Sequence, residues 1–324
     1  MITTKKLPLL SYDGTDWEAQ TNLYELESYI AGNHALACHS CQIAIQIVLE
    51  GLGTRTQPVP VAMPVTAPPD TIAAVLRAGA TPLLTDIDEG TLQMKPEHLR
   101  MIIEDLGTVI VLLTRPGGQY VDKQLLDLVK DLPTVIDSRL VPHPQLTADD
   151  LVGSFNVFDL TSVLGSGGVI IHKFPKQVHQ LRTIRSGLIG NAAALSEPAA
   201  EKALQSLIGY NNNGHRRVAT KYHECFKPLQ KRGILPMEPS LWPSPLYVSV
   251  PNAKVTVAHL HTYGIEAALA VYPLYNLEEI RRRYTQDPEY PVAERLQQTF
   301  ICLPTHRVVE GREAEIVKRI EEVL

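Results

Sequence analysis

The sequence has no apolar run long enough to cross a membrane. Its longest apolar runs, such as Val109–Leu113 and Val169–Ile171, are far shorter than the roughly 20 residues that a spanning helix needs. The first residues also lack the long apolar core of a secretory signal peptide. We therefore expect a protein without a membrane segment that resides in the cytoplasm.

Strong charge and abundant cysteine are lacking as well. The formal charge is −5 over 324 residues, and no basic stripe of the kind that nucleic-acid binding needs is present, so we expect no nucleic-acid partner. The four cysteines are Cys38, Cys41, Cys225 and Cys302, and in the cytoplasm they are expected to be reduced. A hydrophobic content of 44% is typical of a globular protein, and the length allows two domains.

The first two-thirds of the chain alternates short apolar strands with amphipathic helices. Strands are predicted over 34–38, 59–63, 81–85, 109–113, 134–137 and 169–171, with helices over 23–30, 42–52, 70–78, 96–105 and 123–130. Such alternation favours a mostly parallel, doubly wound sheet with helices on both faces. We assign this large α/β domain to residues 1–194.

The pattern changes after Lys173. Residues 195–232 have the composition of charged helices, Leu246–Val250 is predicted as a strand, Val255–Tyr263 as a helix, and Arg312–Val323 as an amphipathic final helix. We assign residues 195–324 to a smaller C-terminal α+β domain.

Three stretches of the chain carry a resemblance to a known family. They are Thr71–Asp88, which ends in Asp-Ile-Asp, then Leu26–Cys38, and Cys302-Leu-Pro-Thr-His306 before the last helix. Together they resemble the DegT/DnrJ/StrS family of pyridoxal-phosphate-dependent sugar aminotransferases. The resemblance implies the PLP-transferase fold of type I, and a homodimer, because active sites in that family are built across a dimer interface.

The segment that holds the cofactor lysine in that family lacks a lysine here. Gly153–His172 resembles that segment, with Phe155, Phe158 and the glycine-rich turn before the apolar strand, but no lysine occurs between Leu151 and His172. The lysine position falls between Asp159 and Ser162. A Schiff base needs an amine that condenses with the cofactor carbonyl. We therefore expect no covalently bound cofactor, and pyridoxal phosphate or pyridoxamine phosphate only as dissociable ligands.

Other cofactor positions are implied by the same resemblance. The family's phosphate-binding turn aligns with His39-Ser40-Cys41, its stacking aromatic with Ala67, and its carboxylate for the pyridine nitrogen with Asp137. The candidate remnant positions are therefore Ser40, Cys41, Asp137 and Ser162. For Asp137, an equally plain interpretation is a strand-end carboxylate that pairs locally. The Gly165–Gly168 turn either cradles a phosphate or is a tight turn that requires glycine.

The N-terminus of the helix that follows Ser40 predicts a weak anion site. Free backbone N–H groups at such a position attract phosphate, sulfate or the phosphate of a nucleotide sugar. The Cys38-x-x-Cys41 spacing has two further interpretations, a redox pair or, with His223 and Cys225, a zinc site. Two ordinary buried cysteines are the alternative that we favour, and we assign no metal.

These observations lead to one principal hypothesis and two alternatives. The principal hypothesis is an aminotransferase-like protein that has lost the cofactor lysine, does not transaminate, and either binds a nucleotide sugar or related metabolite or partners an active aminotransferase. The first alternative is a biosynthetic enzyme that uses the cleft for different chemistry. The second is a sugar aminotransferase with a lysine that the sequence does not identify.

Overall fold

A computed structural model describes residues 21–57, 59–139, 153–160, 167–187, 193–208, 213–237, 245–282 and 289–324. Within these residues, strands β1–β7 span Ala35–Cys38, Pro60–Pro64, Thr81–Thr85, Ile110–Thr114, Thr134–Asp137, Phe155–Asp159 and Gly168–Ile171. Strands β8–β10 span Leu246–Ser249, Ala268–Leu269 and Phe300–Leu303.

Twelve α-helices lie in the described part of the chain. Helices α1–α6 span Thr21–Ala31, Cys41–Gly51, Pro69–Arg77, Pro96–Leu106, Lys123–Val129 and Pro175–Gly187. Helices α7–α12 span Glu197–Ile208, Asn213–Phe226, Ala253–Thr262, Glu278–Arg281, Pro291–Thr299 and Glu313–Glu321. No helix among the described residues has the length and apolar character needed to span a bilayer.

The larger sheet has seven strands in the order β1-β7-β6-β5-β4-β2-β3. The five strands β2 to β6 run parallel to one another, whereas β7 runs antiparallel to both β1 and β6. The expected mostly parallel sheet is thus confirmed. Its strands are almost entirely buried, as parallel sheets covered on both faces require.

Helices cover both faces of this sheet, as the alternating pattern predicts. On one face, α2, α3 and α6 bury an apolar cluster that includes Ile45, Ile72 and Leu181. On the other face, α4 and α5 pack through Leu99 and Leu125, and α1 and α7 form a third cluster. The doubly wound α/β architecture is therefore confirmed.

A second sheet of three strands, in the order β8-β10-β9, is fully antiparallel. With α8, α9 and α12 it surrounds its own apolar cluster, which includes Tyr222, Phe226 and Ile316. The boundary at residue 194 stays a prediction. Helix α7, which follows that boundary, packs against the larger sheet through Ala200, Ala203 and Leu207.

Candidate functional site

The carboxyl ends of three neighbouring parallel strands open into a cavity of about 210 Å³. Its walls come from the segments that follow β2, β3, β4 and β5 and from β8 and the end of β9. The lining residues are Thr66, Ala67, Pro68, Pro69, Leu92, Thr114, Arg115, Pro116, Asp137, Arg139, Tyr247, Leu269, Ala270, Val271 and Tyr272. Parallel α/β sheets bind their ligands at this edge, so the cavity is the candidate ligand site.

Asp137, the last residue of β5, is already paired inside the protein. The Nε of Arg139 donates to Oδ1 at 2.9 Å and to Oδ2 at 3.0 Å, and the Nη2 lies 2.9 Å from Oδ2. The Asp137 side chain is 1% exposed and the Arg139 side chain 13% exposed. Arg139 therefore occupies the carboxylate that the family resemblance assigns to the cofactor ring.

The start of α3 holds the other end of the same guanidinium. Arg139 Nη1 donates to both carboxylate oxygens of Asp70 at 2.6 Å, and Nη2 donates to Thr71 Oγ1 at 2.7 Å. Thr71 Oγ1 in turn donates to Asp137 Oδ2 at 2.9 Å. Strand alternation places Asp137 on the same face of the sheet as Val135, where α2 and α3 pack, and this brings the four groups together.

The electrostatics of the cluster keep the guanidinium charged. Burial opposes the charged form of Arg139, but the charge and hydrogen bonds of Asp137, with the charge of Asp70, outweigh it and raise the pKa of the guanidinium. One cation between two carboxylates leaves the cluster with a single net negative charge. Asp70 is nearly half exposed and lies in the first turn of α3, where the helix dipole stabilises an anion.

Ala67, at the position of the family's stacking aromatic, is buried and lines the cavity. Its methyl group offers no aromatic face. Close by, Leu92 has a positive φ of 57°, a conformation that costs a branched residue free energy and that recurs at ligand sites. The side chain is buried and forms part of the cavity wall.

Ser40 caps the helix that follows it. Its hydroxyl accepts a hydrogen bond from Ile43 N at 3.2 Å, and it is not one of the residues that line the cavity. Gly168 of β7 packs so closely on this turn that a Cβ there would lie 2.6 Å from Cys41 N. The anion site predicted at Ser40 stays a prediction, with the Ser40 hydroxyl already engaged as the cap.

The two cysteines of the Cys-x-x-Cys segment bond to different backbone carbonyls. Cys38 Sγ donates to Leu36 O at 3.7 Å, and Cys41 Sγ to Phe158 O at 3.1 Å. Burial raises the pKa of Cys38 to about 12 and that of Cys41 well above 9.0, which disfavours the reactive thiolate. Among the described residues, no group of three His, Cys, Asp or Glu side chains is arranged for a metal.

Of the four predicted remnant positions, Asp137 lines the cavity, whereas Ser40 and Cys41 do not. Ser162 lies outside the described residues, as do residues 165–166. Sequence reasoning missed Arg139, Asp70 and Thr71. The available signal was the Asp137-x-Arg139 spacing at a strand end, which places two opposite charges within reach of each other.

Comparisons with known proteins concern the family and the fold of the chain. The DegT/DnrJ/EryC1/StrS aminotransferase family matches residues 21–132. The spore coat polysaccharide biosynthesis protein SpsC of Bacillus subtilis is 31% identical over 98 residues, which are 30% of this chain and 25% of that protein. The chain therefore matches only about a quarter of the length of this curated relative.

Solved structures extend the likeness over nearly the whole chain. DesV of S. venezuelae, in complex with a ketimine intermediate, is 21% identical with a TM-score of 0.79, covering 93% of this chain and 89% of that chain. DesI, in the presence of its TDP-sugar product, is 19% identical with a TM-score of 0.79, covering 93% and 84%. The PMP form of the putative sugar aminotransferase Spr1654 from Streptococcus pneumoniae is 17% identical with a TM-score of 0.80, covering 94% and 92%.

These findings confirm the family resemblance: residues 21–132 match the DegT/DnrJ/EryC1/StrS aminotransferases in sequence, and the chain has the α/β fold of pyridoxal-phosphate-dependent aminotransferases.

Proposed function

We propose that this protein is an aminotransferase-like protein that forms no Schiff base, does not transaminate, and binds a nucleotide sugar or a related metabolite in the cavity at the sheet edge. The observation that carries this proposal is the Arg139–Asp137 pair. A pyridine ring needs the Asp137 carboxylate for its nitrogen, and both oxygens of that carboxylate are engaged by Arg139 and Thr71.

The residues around the cavity do not fit pyridoxal phosphate in other respects. Ala67 gives no stacking face, and none of the described residues that line the cavity is a lysine. Lys173, the nearest lysine in sequence to the missing one, follows β7 and is exposed. Because Gly168 pairs with Asp159 at the start of β7, Lys173 lies about 17 Å further along the sheet at 3.4 Å per residue.

What remains at the sheet edge supports a small polar ligand. The cavity combines two arginines, two threonine residues and Tyr272 with apolar walls from Leu92, Leu269 and Val271. Pockets for small molecules have this mixture of apolar walls and a few placed polar groups. DesI, one of the proteins with this fold, was solved in the presence of its TDP-sugar product.

The assembly and location belong to the same proposal. We expect a homodimer, as in the family that the chain resembles, and residence in the cytoplasm. Light scattering over a wide concentration range tests the dimer, and a monomer throughout would contradict it.

The Schiff-base part is tested by absorbance and borohydride trapping. Purified protein mixed with pyridoxal phosphate is expected to show no aldimine absorbance band beyond the one that free cofactor gives with surface amines. After reduction with borohydride, no single lysine is expected to carry the cofactor stoichiometrically. A catalytically active aminotransferase of the same family is the positive control. Stoichiometric labelling of one lysine would overturn the proposal and favour an aminotransferase with an unidentified lysine.

The ligand part is tested by calorimetry or thermal shift with uridine and thymidine diphosphate sugars. Ala270→Phe, which adds a ring to the cavity wall, is expected to abolish binding. Ala268→Phe, on the neighbouring exposed position that does not line the cavity, is the matched control and is expected to bind as the parent protein does. If no sugar nucleotide binds, the role as partner of an active aminotransferase takes precedence.

A further inference from the structure

A positive charge belonging to the chain itself lies where the family resemblance places the cofactor's ring nitrogen. We propose that Arg139 is a specificity-determining residue that replaces the pyridinium with an internal guanidinium and thereby excludes pyridoxal and pyridoxamine cofactors. This inference rests on the proposed function, which concerns Schiff-base formation and the binding of a nucleotide sugar. It adds that Arg139 excludes the non-covalent binding of pyridoxal and pyridoxamine cofactors.

The hydrogen-bond capacity of Asp137 is used up. Its Oδ1 accepts from Arg139 Nε at 2.9 Å and from the Arg139 backbone N at 3.2 Å. Its Oδ2 accepts from Thr71 Oγ1 at 2.9 Å and from Arg139 Nε at 3.0 Å, with Nη2 at 2.9 Å. A carboxylate offers about four lone-pair sites in all. A ring N–H therefore has no oxygen to approach unless the guanidinium leaves.

Arg139 is held at both ends, so displacement by a ligand is costly. Each of its three guanidinium nitrogens has a carboxylate partner, Nε and Nη2 with Asp137 and Nη1 with Asp70. This planar fork bridging two carboxylates is a geometry that the point charge of lysine does not reproduce. The exclusion therefore depends on the guanidinium and not merely on a positive charge.

The space that Arg139 would vacate adjoins the cavity. Both Arg139 and Asp137 line it, so truncation of Arg139 enlarges an existing opening to solvent and leaves a carboxylate without its cation. A buried carboxylate in that state binds a cation that fits, because the alternative is an unpaired buried charge. The vacated site is expected to accept a pyridinium or a small guanidinium from solution.

The test is equilibrium binding of pyridoxamine phosphate, which has no carbonyl group and so forms no Schiff base with a lysine. Binding is measured for the parent protein, for the single variants Arg139→Ala and Arg139→Gln, and for the double variant Asp137→Asn with Arg139→Ala. We expect Arg139→Ala to bind at least about tenfold more tightly than the parent, which is about 1.4 kcal/mol. Arg139→Gln covers the case in which the alanine variant fails to fold, and it is expected to gain affinity in the same direction. The double variant is expected to lose the gain.

Thermal stability supplies a second readout. Methylguanidinium is expected to raise the melting temperature of Arg139→Ala relative to the same concentration of methylammonium. Arg182→Ala is the matched control, since Arg182 also pairs with a buried carboxylate, that of Glu27, but does not line the cavity. It is expected to show no such difference.

The two proposals fail separately. If the parent protein binds pyridoxamine phosphate as tightly as Arg139→Ala and Arg139→Gln, the exclusion by Arg139 is wrong, while the absence of a Schiff base stands. If the double variant keeps the gain, Asp137 is not the group that receives the ring, and the inference is also wrong. Borohydride trapping of a lysine in the parent protein overturns the proposed function whatever the Arg139 variants do.

Discussion

Asp86 Oδ1 accepts a hydrogen bond from Ala293 N at 3.0 Å, across 207 residues of sequence. The carboxylate is buried after β3, and its Oδ2 accepts from Val292 N and from Lys95 Nζ, each at 3.2 Å. Val292 and Ala293 lie in the first turn of α11, whose free N–H groups are satisfied by an anion at that position. The first acid of Asp-Ile-Asp therefore ties the larger sheet to the C-terminal part of the chain.

Asp86→Ala is expected to lower the free energy of unfolding by about 3 kcal/mol, because it removes charge-assisted hydrogen bonds from the buried Ala293 N and the partly buried Val292 N and leaves Lys95 without its partner. Chemical denaturation measures the change. Glu89→Ala is the matched control: Glu89 pairs with Arg295 between the same two segments, but both side chains are more than half exposed, so the expected loss is under about 1 kcal/mol. Equal losses in the two variants would contradict the anchoring role of Asp86.

Glu27→Ala is expected to destabilise the fold by about 3–5 kcal/mol, because it leaves the buried guanidinium of Arg185 unpaired. Glu27 lies on α1 and pairs with Arg185 at 2.9 Å and Arg182 at 2.7 Å, both on α6; it also accepts from Ala37 N. Glu25→Ala, an exposed position on the same helix, controls for helix propensity. A loss in Glu27→Ala no greater than in this control would show that the network contributes little.

Gly168→Ala is expected to destabilise by about 1–3 kcal/mol, the usual cost of overpacking. The added Cβ would lie 2.6–2.7 Å from the backbone atoms Cys41 N, Ser40 C and Ser40 O, which have no flexible end to move aside. Gly187→Ala, at the end of α6 with open space around it, is the comparison and is expected to be neutral or slightly stabilising. Measured melting temperatures that fall equally in both variants would argue against the close approach of β7 to the Ser40 turn.

Thiol labelling is expected to distinguish the four cysteines. At pH 8 a thiol whose pKa is about 12, as burial makes that of Cys38, is thiolate in roughly one molecule in 10,000. In the native protein, a thiol reagent should therefore modify the partly exposed Cys225 well before Cys38 or Cys41. The control is unfolded protein, in which the reagent should modify all four cysteines. Rapid native labelling of Cys38 would contradict its burial.

The same thiol sets a direction for the pH dependence of stability. Cys38 ionises near its usual value of 9.0 in the unfolded chain and at about 12 in the fold. Its contribution to the free energy of unfolding is therefore full below pH 9 and is lost as the pH rises towards 12. Between pH 9 and 12 the free energy of unfolding of the parent protein is expected to fall more than that of Cys38→Ala. Chemical denaturation at several pH values measures both, and equal slopes of unfolding free energy against pH would contradict the prediction.

The sequence predicts most of the larger sheet, because each buried parallel strand is a short apolar run with a helix on either side. The strand Thr134–Asp137 and the helix at 123–129 are found within one residue of their predicted bounds. The strand Phe155–Asp159 is not predicted as a separate element, since Asn156 interrupts its apolar pattern. Strand β10 is also not predicted, and its pairing with β8 is non-local in sequence.

The candidate site was predictable only in outline. The family resemblance identifies Asp137 as a candidate site residue, and its place at a strand end leaves local pairing open as the alternative interpretation. That the pairing extends beyond Arg139 to Thr71 and Asp70 follows from the packing of α3 against the end of β5, a contact between residues about 66 apart in the chain. Sequence spacing carries no information on such a contact.

The ion pair between Arg139 and Asp137 in the cavity wall affects how the stability of the fold depends on cofactor concentration. A bound cofactor stabilises a fold by mass action, so its contribution falls as the cofactor becomes scarce. The guanidinium of Arg139 is part of the chain, so its local concentration beside Asp137 does not change with dilution or with the supply of cofactor. On the proposal that Arg139 excludes the cofactor, the stability of the protein is expected not to change with the concentration of pyridoxal phosphate.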